Sequence, residues 1–150
     1  MMDSLQIAEI LKHVTRKKFK GVFASDNLPS PPHSTPYCFV VNSDKQNEPG
    51  THWMAIYVPT PNSVEFFDSF AKAPNYDINK FLSKFKLQKR NKTRVQSSAD
   101  ISCGPHVIYF LVNRCRGMPF DAIIHRLAKS LPFTDTLVKM FVLCILEKHI

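Results

Sequence analysis

Long apolar runs are missing from this 150-residue chain. None approaches the eighteen or so residues that a membrane-spanning helix needs, so no association with a membrane is expected. A cationic start followed by an apolar core is missing too. The N-terminal "MMDSLQIAEILKHVTRKKFK" carries Asp3 and Glu9, which argues against a secretory signal. The four cysteines, Cys38, Cys103, Cys115 and Cys144, form no CxxC pair, and none has a histidine at a metal-ligand spacing. Three of them lie inside apolar runs ("YCFVV", "VNRCRG", "FVLCIL"), where a free cysteine behaves as a small hydrophobe. That usage suits a reducing compartment better than a disulfide scaffold. Internal repeats and low-complexity segments are also absent. Acidic residues are scarce, 12 against 20 Lys and Arg, leaving a formal net charge of +8. Such a balance favours anionic partners, nucleic acid first, without specifying one.

What is present is a core. Hydrophobic residues make up 44% of the chain and include twelve phenylalanines, enough for one folded domain over residues 1–150. Asp3 or Ser4 can cap a first helix whose apolar face holds Leu5, Ile7, Ala8, Ile10, Leu11 and Val14. Short strands are predicted at 20–25 and 37–42, separated by a loop with four prolines. A polar turn at 43–51 leads to a hairpin of strands at 52–58 and 64–70, apolar on both faces as central strands are. Asp77 can cap a short helix. Helices are also expected after Cys103, stopping at Gly117, and over 120–129 and 134–148. The predicted class is α+β: a small mixed central sheet with helices packed around it.

Chemistry concentrates around "VQSSADISCGPHVIYFL", residues 95–111. If a helix begins at Cys103, the sulfur meets the positive end of the helix dipole, which favours the nucleophilic thiolate. Gly104 removes a side chain that would crowd the sulfur. A histidine must then exchange protons with the reacting groups. His13 and His125 fall within helices, His33 in the proline loop and His149 near the end of the chain, and the direction of His106 is open. His52 opens a buried strand directly after a Gly-Thr turn, a rigid place with one open side. In a hairpin turning at 59–63, the far end of the second strand faces His52, and Asp68 stands there. A carboxylate after two phenylalanines needs a partner if buried, and a histidine it orients would be one. Glu65 is the rival, nearer the turn and on the opposite strand face. Gln96, seven positions before Cys103, can donate an amide hydrogen bond to the oxyanion of a tetrahedral intermediate, although a solvated glutamine looks the same in sequence.

The order His–Asp–Gln–Cys resembles the adenovirus-type cysteine proteases, whose clan also holds the SUMO-specific proteases. "GTHWMAIYV" looks like their histidine motif, "VEFFDSF" like the acidic strand and "QSSADISCGPHVIYF" like the Gln-to-Cys stretch. "FKGVFASDNLP" and "YCFVVNSD" look like the viral branch, so a virus or a Polinton/Maverick-type element is an expected source. The resemblance implies an adenain-like fold and a cysteine endopeptidase acting on viral structural precursors during virion maturation. It implies His52 as general base, Asp68 as orienting acid, Cys103 as nucleophile and Gln96 as oxyanion donor. The expected location is the virion and the host-cell interior, and the expected state a monomer. Two departures stand out. Adenoviral enzymes usually carry glutamate where Asp68 stands, and Phe85 replaces the cysteine that tethers their activating peptide.

Residues 84–94, "KFKLQKRNKTR", carry six positive charges and no negative one. Lys84, Lys86, Lys89, Arg90, Lys92 and Arg94 are either a solvated face or a DNA-contacting patch, since the relatives use DNA as a cofactor. No other cofactor is required by the sequence. Two rival readings remain: an isopeptidase of ubiquitin-like conjugates, and an inactive DNA-binding relative.

Overall fold

The computed structural model describes residues 2–31, 34–44, 52–97 and 103–149. Much of the proline loop is therefore visible. The Gly50-Thr51 turn and the polar stretch 98–102 lie outside the described residues, as do His33 and the side chain of His149.

Five strands form one mixed sheet in chain order: β1 (Phe19–Ala24), β2 (Tyr37–Asn42), β3 (Trp53–Thr60), β4 (Ser63–Phe67) and β5 (Leu87–Arg90). The central pairs β2–β3 and β3–β4 are antiparallel, while β1–β2 and β4–β5 are parallel. Register slips between Phe19 and Val22 of β1, where Gly21 takes φ +133°, a conformation that only glycine adopts without strain.

The sheet is covered on both faces, and the alternation of side chains divides the core accordingly. Cys38, Val40, Trp53, Ala55, Tyr57 and Phe67 face one cluster. It is completed by α1 (Ser4–Thr15), α3 (Cys103–Cys115), α4 (Phe120–Lys129) and α5 (Thr134–His149). Phe39, Val41, Met54, Ile56, Val58, Val64 and Phe66 face the other, closed by α2 (Tyr76–Leu82) through Ile78, Phe81 and Leu82. Helix α3 is buried at every position from Cys103 to Asn113. Its Phe110 ring stacks on Phe67 of β4 with centroids 4.7 Å apart, which fixes the helix against the sheet.

Several sequence expectations need correction. Asp3 caps α1 in a reciprocal capping box with Gln6, but Leu5 points outward. Asn75 rather than Asp77 caps α2, its Oδ1 accepting from the Ile78 N–H at 2.9 Å. Strand β4 ends at Phe67, not Phe70. Strand β5 falls in the basic stretch, where no strand is predicted: no apolar alternation marks it, and all four of its residues are exposed. Cys144, inside an apolar run, is exposed because Val142 and Ile145 take the inward face of α5.

Candidate active site

The hairpin and the head of α3 converge at one end of the sheet. His52 lies one residue before β3, and its carbonyl accepts from the Ser43 N–H at 2.9 Å. Asp68 lies one residue past the end of β4. The antiparallel register that pairs Ala55 with Phe67 brings these strand ends together. His52 Nε2 stands 2.8 Å from Asp68 Oδ1, and the carboxylate is almost fully buried. The same Oδ1 accepts from the Phe70 N–H at 2.9 Å. Phe70 also packs against the imidazole, centroid to centroid 5.3 Å, so the ring is held at its edge and over its face.

Cys103 is the first residue of α3 and is nearly buried. The His52 side chain and the backbone of Trp53 and Gly104 adjoin the sulfur and favour its ionisation. Burial opposes ionisation, yet these contacts together bring the thiol below its ordinary range. Burial likewise works against the imidazolium, but hydrogen bonds and charge from Asp68 and Cys103 outweigh it and raise His52 to about 9. The two shifts are complementary. Each group favours the charged form of the other.

Gln96 is fully buried, and its Oε1 accepts from the Ser69 hydroxyl at 2.6 Å. Its carbonyl accepts from Arg94 Nε at 2.8 Å. A solvated surface glutamine is thereby excluded. Glu65, the rival carboxylate, is engaged elsewhere: Arg114 Nε and Nη2 donate to its two oxygens at 2.8 and 2.9 Å. His106 is buried with Nε2 3.7 Å from Asp135 Oδ1. Gly104 has a further role. A Cβ there would meet Met2 Cβ at 3.1 Å, so the glycine makes room for the N-terminal segment, whose Met2 carbonyl accepts from Trp53 Nε1.

The basic residues 84–94 are all exposed, but not equivalent. Lys89 donates to Asp121 at 2.9 Å, and the Arg94 guanidinium lies 5.0 Å from the Phe70 ring centre. Among the described residues no group of three or more His, Cys, Asp or Glu is placed to hold a metal ion, and no helix is long and apolar enough to cross a membrane.

Sequence reasoning missed the residues that support these side chains: Ser69, Phe70, Asn91 and the main chain of Trp53. Ser69 and Phe70 stand within "VEFFDSF", Trp53 within "GTHWMAIYV" and Asn91 within the basic stretch "KFKLQKRNKTR", but nothing in those stretches marks a supporting role.

No family model matches the chain. Its sequence is similar to a protein of Acanthamoeba polyphaga mimivirus that is named a thiol protease, 29% identical over 108 residues, or 64% of this chain. The chain spans only about a third (34%) of that relative's length. Its structure is similar to the crystal structure of an ASFV protease, with a TM-score of 0.65 and 18% identity, over 90% of this chain and 66% of that one. The chain is thus related in sequence to one viral protein named as a thiol protease, and it has the α+β fold of another viral protease.

Proposed function

We propose that the protein is a cysteine endopeptidase that cleaves viral structural precursors, with Cys103 as nucleophile, His52 as general acid and base, and Asp68 as the group that orients His52. The observation that carries this reading is the His52–Asp68 pair, 2.8 Å apart, placed beside Cys103 at the head of α3. Such an arrangement favours the thiolate and keeps a proton next to it. The mimivirus protein named a thiol protease and the ASFV protease support the same reaction class.

In this mechanism the Cys103 thiolate attacks the scissile carbonyl carbon. The carbonyl electrons move to oxygen, and the negative charge is met by the Cys103 backbone N–H and the Gln96 side-chain amide. The His52 imidazolium gives its proton to the leaving amine as the C–N bond breaks, leaving a thioester. Neutral His52 then takes a proton from water, the hydroxide attacks the thioester, and the acid product leaves with the thiolate restored. His52 is the more accessible of the pair, its side chain 17% exposed against 3% for Asp68.

Cleavage of a peptide library by the native protein, set against Cys103→Ala, tests the proposal. New termini generated only by the native chain are expected. An identical product pattern from both would end it. A panel of ubiquitin-like fusions in the same assay separates endopeptidase from isopeptidase activity.

DNA is proposed as an activator that binds the 84–94 face. Lys89 and Arg94 are engaged, which leaves Lys84, Lys86, Arg90 and Lys92 as the main phosphate contacts. Four contacts give a slope of log K against log salt of about −4. A flat salt dependence would remove DNA from the account.

A further inference from the structure

The segment after β4 and the segment after β5 are laced together, and the lacing touches both Asp68 and Gln96. The Asn91 amide grips the backbone of Asp68 on two sides. Its Oδ1 accepts from the Asp68 N–H at 3.0 Å, and its Nδ2 donates to the Asp68 carbonyl at 2.6 Å. The same Nδ2 reaches the Thr93 carbonyl at 3.2 Å. Four residues on, the Val95 and Gln96 N–H groups both donate to the Ser69 carbonyl, at 2.9 and 3.0 Å. The Ser69 hydroxyl returns a bond to Gln96 Oε1 at 2.6 Å. Asn91, Ser69 and Gln96 are all buried, at 4%, 0% and 0% exposure. Buried polar side chains need satisfied partners, and here each partner belongs to, or adjoins, a group of the proposed mechanism.

We infer that Asn91 and Ser69 are positioning residues with separate tasks: Asn91 sets the place of Asp68 by holding its main chain, and Ser69 sets the orientation of the Gln96 amide. This rests on the cysteine-protease reading above and adds a division of labour to it. Asn91 acts through Asp68 on His52, and therefore on how much of Cys103 is thiolate. Ser69 holds the oxygen end of the Gln96 amide, so the nitrogen end is the one turned away from it as the donor. That donor matters only when an oxyanion forms.

Two reagents separate the tasks. Alkylation of Cys103 by iodoacetamide needs the thiolate but forms no oxyanion, whereas acetylation by p-nitrophenyl acetate passes through a tetrahedral oxyanion. Both can be followed at Cys103 by peptide mass spectrometry. Ser69→Ala is expected to slow acetylation about tenfold, the effect of one lost hydrogen bond on a reacting geometry, while leaving the pH profile of alkylation unchanged. Ser69→Thr, which keeps the hydroxyl, should recover most of the acetylation rate. Asn91→Ala should move the alkylation profile to higher pH, toward the ordinary thiol value of 9.0, and slow both reactions at neutral pH. Circular dichroism melts identify any variant that is unfolded at the assay temperature. Asn91→Asp, which keeps the acceptor and loses the donor to the Asp68 carbonyl, serves as a second variant at that position.

Equal losses in both reactions for Ser69→Ala, or no loss in either, would overturn its assigned task. An unmoved alkylation profile in folded Asn91 variants would overturn the other. Failure of the underlying reading looks different: Cys103 of the native protein would then alkylate at pH 6 no faster than exposed Cys144.

Discussion

Replacing Asp68 with asparagine keeps the size of the side chain and removes its charge. His52 stands at about 9 in the folded protein against 6.5 for the free side chain. That interval corresponds to roughly 3 kcal/mol of net stabilisation of the imidazolium, by which Asp68 and Cys103 together exceed the opposing effect of burial. Asp68 supplies the largest of the raising influences. If its loss returned His52 merely to 6.5, the protonated fraction at pH 7 would fall from about 99% to about 24%. Burial, then opposed by Cys103 alone, acts in the same direction. An amide can also donate to Nε2, which selects the wrong tautomer of the neutral ring. Tautomer loss in an oriented nucleophile–base pair has a cost in kcat of up to about ten-thousandfold, so a decrease of at least about a hundredfold is expected here. The assay is paired: peptide cleavage at pH 7, and the pH dependence of Cys103 alkylation. In Asp68→Asn the alkylation midpoint should rise as cleavage falls. A variant with an unmoved midpoint and kcat within twofold of the native protein would refute the assignment of Asp68 to His52.

The native pH profile should show two limits. Activity rises as Cys103 loses its proton, below the ordinary thiol range, and falls again as His52 gives up its proton near pH 9, while alkylation persists above that point. A cleavage profile that keeps rising past pH 10 would remove the imidazolium from the mechanism. Glu65→Ala leaves the half-buried Arg114 without its carboxylate and should cost about 3 kcal/mol, or roughly 6–12 °C in Tm by calorimetry. Arg114 lies eleven residues along α3 from Cys103, about 16 Å, so activity per folded molecule should stay within twofold. Phe110→Ala removes the ring stacked on Phe67 and should lower the unfolding free energy in urea by about 3–5 kcal/mol.

Much of this arrangement was legible because the relevant signals are local. The alternation in "YCFVVN" and "HWMAIYV", with apolar residues on both faces, marks strands covered on two sides, and both are central strands of the sheet. Hairpin geometry alone carried the pairing of Asp68 with His52, since antiparallel strands joined by a tight turn must bring those ends together. Where the signal was not local, it failed. Strand β5 is held by backbone pairing to β4 while its side chains face solvent, so its sequence looks like a loop. Asn91 binds the main chain of a residue twenty-three positions away, a contact that leaves no periodicity behind. Gln96 had the right chemistry at a position where a surface residue would look identical, and only its burial separates the two.

Because α3 runs through the middle of the molecule, the reactive sulfur is mounted on the same helix that fills the interior. Loosening of that helix would disturb the interior and the sulfur together. Heat inactivation should therefore act as a clock for global denaturation, with catalytic half-life and the loss of near-ultraviolet signal from the aromatic rings following one time course.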